Sequence, residues 1–273
     1  MKKHSVLKAA ALTAAAYTVS LRGRTKHPDL EILRRYRFAH RGYHDKPVVP
    51  ENSLPAFRRA IEHGWGAELD VHLMKDGTLA VIHDSSLLRT AGADVQIEDL
   101  TREELENYRL EGTDERIPLF DEVLALFENT TPLIIELKAA NGNHFALSKA
   151  VCERLDSYKG VFCIESFDPM VVADVRELRP GICRGQLAEN FLKGKGALDP
   201  VRSVLATGLI GNALAKPDFI AFNFEDRSCI SNALCLKLWG IQGVAWTIRS
   251  KHDLLTAEAE GLIPIFEKFD PEA

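Results

Sequence analysis

Eight short apolar runs, most of them separated by segments with helical spacing, constrain the fold of this 273-residue chain more than any other feature. They are Tyr36–Ala39, Ala67–Val71, Leu79–Ile82, and the runs LIIELK (133–138), VFCIESF (161–167), ICRGQL (182–187), DFIAFNF (218–224) and GVAWTI (243–248). Strand–helix alternation repeated this way predicts a (β/α)₈ barrel of the TIM type, with a doubly wound open sheet as the alternative. At 46% hydrophobic residues the chain can bury one such core or two smaller ones.

Several of the runs end in residues that carry chemistry. His40-Arg41-Gly42 closes the first, and Glu68 and Asp70 sit two apart in the second. His83-Asp84 follows the third, and Glu136 and Lys138 repeat the two-residue spacing in the fourth. Residues i and i+2 of a strand share one face. Two like-charged carboxylates on one face repel unless a cation lies between them, and Mg²⁺ or Ca²⁺ takes oxygen ligands of this kind. In a barrel, the C-terminal ends of the strands are where an active site is built. The spacing predicts that His40, Glu68, Asp70, His83, Glu136 and Lys138 all lie there. His72 continues the parity of Glu68 and Asp70 but falls at the exit into a turn, so it reads as exposed. Trp65, beside two glycines, reads as packing.

Local signals place the helices. Asn52 and Ser53 can cap a helix bearing Leu54, Phe57 and Ile61, Thr101 to Glu104 has the form of a capping box, and Asp168-Pro169 and Ser250 mark two more starts. The segment from Asn190 to Pro217 carries Val204, Leu205, Leu209, Ile210 and Leu214, and fits one irregular helix or a membrane-touching insert.

The N-terminus stands apart. Val6 to Leu21 is rich in alanine, broken only by Lys8, preceded by Lys2 and Lys3 and followed by Arg22, Arg24 and Lys26. Sixteen helical residues rise about 24 Å, short of a hydrocarbon core of about 30 Å. Three readings fit: a membrane anchor, a signal-peptide core, or an amphipathic surface helix. The flanking charges favour membrane association through residues 6–21 without fixing a side. The expected division is 1–25 as hydrophobic helix or anchor, 26–36 as linker and 37–273 as barrel, so that a chain lacking residues 1–25 is expected to fold and stay active.

A net charge of −5 with no basic run interleaved with aromatics excludes a nucleic-acid binder. The five cysteines form no Cys-x-x-Cys pair and read as buried thiols.

Taken together, HRG, PENSLPAF, ELDV, KDG, HD, ELK, SF and AWT, in this order and spacing, resemble the glycerophosphodiester phosphodiesterase family from about Phe38 to the C-terminus. Membrane-associated bacterial members are especially similar. The resemblance implies a (β/α)₈ barrel that cleaves glycerophosphodiesters to glycerol 3-phosphate and an alcohol with a divalent cation, Mg²⁺, Ca²⁺ or Mn²⁺. It implies Glu68, Asp70 and Glu136 as metal ligands and His40 and His83 as acid and base. It further implies Arg41 and Lys138 on the phosphate, Glu51 and Asn52 lining the site, and Phe167 and Trp246 near the substrate. Met74 replaces a usual threonine, and Glu165 stands where a polar amide often precedes Ser-Phe. A lysophospholipase D-like activity and a non-catalytic membrane-tethered binding protein are the rival expectations, but no catalytic member of the set is missing.

Overall fold

Nine strands build the molecule, seen in a computed structural model that describes residues 2–193 and 198–273. They are β1 (Phe38–Ala39), β2 (Gly66–Leu73), β3 (Leu79–Val81), β4 (Leu133–Leu137), β5 (Phe162–Ser166), β6 (Arg184–Ala188), β7 (Phe219–Asn223), β8 (Gln242–Ile248) and β9 (Ile263–Phe266). Eight of them form a closed parallel ring, because β1 pairs with β2 on one side and β9 on the other. The expected barrel is therefore present, but its membership differs from the expectation in two places.

The third apolar run is not a barrel strand. β3 returns antiparallel beside β2, with Val71 opposite Val81 and Leu73 opposite Leu79. The turn through Asp76-Gly77 is too short for a parallel crossover, which needs a dozen or more residues. His83 therefore enters the site from the chain leaving a hairpin, and not from the end of a barrel strand. The eighth place in the ring belongs to β9, whose sequence IPIF is four residues long and contains a proline, both weak strand signals.

A two-residue period runs through the ring and separates two cores. Phe38, Ile134, Cys163, Phe219, Ala221, Val244, Ile263 and Ile265 cluster together inside it. Residues of opposite parity, such as Leu69, Val71, Ile135, Leu137 and Ile164, join a second cluster with Phe57, Phe127, Leu147 and Val171 of the surrounding helices. Gly185 keeps the inner core open for an aromatic ring, since a Cβ there would meet the Phe219 ring at 2.0 Å. The helix caps fall where expected: Ser53, Asp168 and Ser250 accept from backbone amides, and Thr101 with Glu104 forms a capping box.

The N-terminal helix spans Lys2–Ser20, and no helix among the described residues is long and apolar enough to cross a membrane. Residues 7–16 are exposed throughout. From Tyr17 onward the chain is bound to the barrel. Tyr17 Oη donates to the Gly208 carbonyl at 3.1 Å, Trp239 Nε1 donates to the Thr18 carbonyl at 2.6 Å, and Leu21 is fully buried. Arg24 forks onto both Asp218 oxygens, each at 2.6 Å. A deletion ending at residue 16 should therefore leave the melting temperature close to that of the full chain. A deletion through residue 25 should cost about 2–5 kcal/mol for Leu21 alone, plus the loss of a cation from the buried Asp218. Thermal unfolding followed by circular dichroism distinguishes the two; equal melting of both truncations would contradict the packing of residues 17–24.

Of the cysteines, Cys152, Cys163, Cys183 and Cys235 are buried, Cys229 is half-buried, and all are free thiols.

Candidate active site

The inward parity that builds the inner core also delivers the polar residues one layer higher. Phe38 leads to His40, Ile134 to Glu136 and Lys138, Cys163 to Glu165 and Phe167, Leu187 to Glu189, Val244 to Trp246, and Ile265 to Glu267. On β2 the same parity gives Glu68 and Asp70. His40, Arg41, Glu68, His83, Glu136, Lys138, Phe167 and Trp246 line one cavity of about 440 Å³ at this end of the barrel.

Glu68, Asp70 and Glu136 are buried, with 2%, 1% and 7% of their surface exposed, and each offers an oxygen within 4.8 Å of the others. Three buried carboxylates at this spacing are unstable without positive charge. Lys138 supplies part of it, with Nζ 2.7 Å from Glu136 Oε1 and 3.0 Å from Asp70 Oδ1. Asp70 Oδ1 nevertheless lacks a hydrogen bond of good geometry among the described residues. Burial and the two neighbouring carboxylates push Glu68 well above the usual range, and burial with Asp70 pushes Glu136 up to about 7. Burial would raise Asp70 too, but Lys138, His83, Arg41 and Asn52 hold it well below the usual range. The all-oxygen donor set and its uncompensated charge fit a hard divalent cation.

The backbone at the end of β1 is shaped for close approach. Arg41 (φ 55°) and Gly42 (φ 77°) are both left-handed, and a Cβ on Gly42 would lie 2.9 Å from Ala56. This turn aims the Arg41 amide at Glu68 Oε2, at 3.0 Å. The Arg41 guanidinium lies 2.9 Å from Glu51 Oε1 and 3.6 Å from Asp70 Oδ2.

Each histidine has one nitrogen committed to a carboxylate. His40 Nδ1 lies 2.8 Å from Glu267 Oε2, and His83 Nδ1 lies 2.6 Å from Asp84 Oδ1. An ionised carboxylate only accepts, so each Nδ1 carries the proton and each Nε2 is left for the cavity. Burial lowers His40 to about 4 against the opposing pull of Glu267, and burial lowers His83 as well. His40 is therefore neutral at pH 7.

Glu51 and Asn52 lie outside the cavity lining and act one step back. Glu51 gathers Arg41, Arg89 and Lys46, and Asn52 Nδ2 donates to Asp70 Oδ2 at 2.8 Å. His72 is buried, contrary to expectation. Its Nδ1 faces Glu98 Oε1 at 2.7 Å and its Nε2 faces the His83 carbonyl at 3.2 Å, a position the hairpin creates. Trp65 packs edge-on against Tyr43 and Phe266, as its sequence context suggested.

Glu267 was not among the expected residues. It binds His40 and Arg249, at 2.8 and 2.7 Å, and these contacts with His44 outweigh burial to hold its carboxyl well below the usual range. The signal that could have found it is parity: Glu267 follows Ile263 and Ile265 by two-residue steps. Glu267→Gln should lower kcat about 10- to 100-fold by releasing the His40 ring, less than the loss at His40 itself. Steady-state rates and the acid limb of the pH profile check this, and an unshifted profile with a wild-type rate would contradict it.

The burial of His40 also has a stability consequence in metal-free protein. Its folded pKa lies below the unfolded value, so its contribution is complete above about pH 6.5 and is lost as pH falls toward 4. The slope is about 1.4 kcal/mol per pH unit. The raised carboxyls of Glu68 and Glu136 act in the opposite sense over this range, so the His40 contribution is read as a difference: the urea midpoint of the wild-type protein should fall relative to that of His40→Gln as pH drops from 6.5 to 4.5.

A parallel eight-stranded barrel with carboxylates, paired cations and two ring nitrogens around one cavity defines a candidate phosphoester-processing enzyme. A family model for the glycerophosphoryl diester phosphodiesterase family matches residues 40–266, and the chain belongs to that family. Among curated relatives, the glycerophosphodiester phosphodiesterase of Caldanaerobacter subterraneus subsp. tengcongensis is 37% identical over 161 residues, covering 55% of this chain and 65% of that protein. The lysophospholipase D GDPD1 of Homo sapiens is 38% identical over 121 residues, 40% of this chain and 37% of that protein. The matches thus span less than two thirds of these relatives. Two solved structures share the fold. A Thermotoga maritima glycerophosphodiester phosphodiesterase has TM-score 0.63 at 27% identity, covering 85% of this chain and 94% of that one. An Oleispira antarctica phosphodiesterase, in complex with the product sn-glycerol-3-phosphate, has TM-score 0.66 at 24% identity, covering 85% and 92%.

Proposed function

We propose that the chain hydrolyses glycerophosphodiesters to glycerol 3-phosphate and an alcohol, with a divalent cation, Mg²⁺, Ca²⁺ or Mn²⁺, held by Glu68, Asp70 and Glu136. The observation that carries this reading is the convergence of those three carboxylates and two unencumbered imidazole nitrogens on one cavity. Family membership supports it. When bound, such a cation supplies Lewis-acid polarisation of a phosphoryl oxygen and charge compensation. Arg41 and Lys138 supply the rest of the positive charge that a phosphodiester needs.

In this mechanism His40 is the first base. Its Nδ1 proton is held by Glu267, and burial keeps the ring neutral. Nε2 takes the proton of the glycerol 2-hydroxyl, whose oxygen attacks phosphorus within the same molecule and so gains the advantage of proximity. His83, less buried and flanked by Asp70 and Asp84, which favour its charged form against burial, enters the step protonated on both nitrogens and gives the Nε2 proton to the departing alcohol oxygen. The five-membered cyclic phosphate is then opened by water with the roles reversed, giving glycerol 3-phosphate. A 2-deoxy substrate analogue should be nearly inert, and its normal turnover would favour direct attack by water.

A second reading is lysophospholipase D-like activity at a membrane surface. What favours it is the exposed helix of residues 7–16, whose base at Tyr17 meets Gly208 at the end of the helix bearing exposed Val201, Val204 and Leu205, together with the likeness to the human lysophospholipase D. Of the segment 6–21, the exposed residues 7–16 would then lie on the membrane and not across it, while Tyr17 to Leu21 stay on the barrel. Rates on water-soluble glycerophosphocholine and on a lysophospholipid, both without detergent, test the two readings. Turnover of the soluble diester supports the first, and turnover of the lysophospholipid alone supports the second.

A further inference from the structure

His83 and Arg41 come from different turns of the chain, yet one side chain outside the cavity joins the carboxylates behind them. His83 Nδ1 lies 2.6 Å from Asp84 Oδ1, and Arg89 Nε donates to the other Asp84 oxygen at 2.5 Å. The same guanidinium reaches on through Nη2 to Glu51 Oε1, at 2.6 Å. Glu51 Oε1 also accepts from Arg41 Nη1 at 2.9 Å, and Lys46 meets the second Glu51 oxygen. The two ends of this span differ. Apart from His83, no other basic side chain among the described residues pairs with Asp84, whereas Glu51 keeps Arg41 and Lys46 even without Arg89.

The local structure makes Arg89 a spanning group and not a packing one. It lies in the short helix Leu88–Ala91, between Leu87 and Thr90, which are buried. Their backbone is fixed independently, since the Leu87 amide donates to the Val95 carbonyl at 3.0 Å and the Thr90 carbonyl accepts from the Glu111 amide at 2.6 Å. The Arg89 side chain itself is 44% exposed, so little buried surface depends on it. His72 faces the His83 carbonyl at 3.2 Å and holds the main chain there without Arg89. What does depend on Arg89 is the Asp84 carboxylate. Burial would raise Asp84, but Arg89 and His83 hold it below the usual range. A planar guanidinium can fork between two carboxylates, whereas an ammonium acts as a point charge.

We infer that Arg89 is a positioning residue for the acid step: by spanning Asp84 and Glu51, it fixes the His83 ring relative to Arg41 and the place of the phosphate. The inference rests on the hydrolase reading above, in which His83 Nε2 protonates the departing alcohol oxygen, and adds the group that orients this ring. With Arg89 gone, Asp84 pairs with His83 alone, and the two side chains can turn together. Arg41 remains between Glu51 and Asp70. The loss therefore falls on proton delivery to the leaving group and leaves phosphate binding nearly intact.

The test compares two diesters of glycerol 3-phosphate with the activating cation present. In glycerophosphoglycerol the leaving alkoxide must be protonated; in the p-nitrophenyl diester the phenolate departs without a proton. Arg89→Ala should lower kcat for glycerophosphoglycerol about 10- to 100-fold, the loss typical of removing an outer partner, with KM nearly unchanged. For the p-nitrophenyl diester the rate should stay close to that of the wild-type protein, because acid catalysis contributes little to a good leaving group. A purely structural role would lower both rates alike. Arg89→Lys keeps the charge and should keep the wild-type melting temperature, yet show the same selective loss, since an ammonium cannot span both carboxylates. It carries the comparison if the alanine variant melts early. Equal losses on the two diesters, or wild-type turnover of glycerophosphoglycerol by either variant, overturn the positioning role and leave the hydrolase reading standing. Failure of the wild-type protein to cleave either diester overturns both.

Discussion

His40→Ala and His83→Ala are each expected to lower kcat by about 10² to 10⁴ while leaving divalent-cation affinity nearly unchanged. Each ring binds a carboxylate through Nδ1 and offers Nε2 to the cavity, so neither can replace the other. His40 Nε2 lies 3.9 Å from Glu68 Oε2, near the carboxylates but outside hydrogen-bonding distance. The double variant should be little worse than the poorer single one, because base and acid act in one concerted transfer. Isothermal titration with Mg²⁺ alongside single-turnover rates separates the two quantities. A collapse of cation affinity in His40→Ala would make it a ligand and contradict the assignment.

Asp70→Asn is expected to abolish cation-dependent turnover and to weaken cation affinity by at least 10- to 100-fold, the loss typical of removing an outer partner alone. Asp70 is the carboxylate held ionised by its surroundings, with Asn52 donating to one oxygen and Lys138 beside the other. Replacing it leaves Lys138 with Glu136 alone. Glu136→Gln should be milder in metal-free stability, since its carboxyl sits near 7 and is partly protonated at neutral pH. Titration with Mg²⁺, Mn²⁺ and Ca²⁺ checks both variants. Full turnover of either, or of the wild-type protein after exhaustive chelation, would contradict a role for the cation.

Much of this site was legible because a strand has a period of two. Glu68 with Asp70 and Glu136 with Lys138 announce a shared face, and the barrel turns each face inward. What escaped the sequence was decided by pairing between distant segments. The run at Leu79–Ile82 has the composition of a barrel strand, and only the shortness of the turn before it makes it a hairpin. That difference buries His72, which in a barrel strand's exit turn would have been exposed. β9 is short and carries Pro264, so the strand that closes the ring and delivers Glu267 left almost no local trace. Glu51 and Asn52 were recognised as part of the site, but their contacts place them behind Arg41 and Asp70. The attachment of Tyr17 to Arg24 depends on Gly208, Asp218 and Trp239, about two hundred residues away, and no local pattern at the N-terminus could show it.

Phosphorus NMR of glycerophosphocholine incubated with the full chain, first after chelation and then with Mg²⁺, Mn²⁺ or Ca²⁺ restored, tests the proposed hydrolysis most directly. The expected result is an unchanged diester resonance after chelation, replaced on addition of a divalent cation by the monoester resonance of glycerol 3-phosphate. A diester that persists with every cation, or a product other than glycerol 3-phosphate such as phosphocholine, would contradict it.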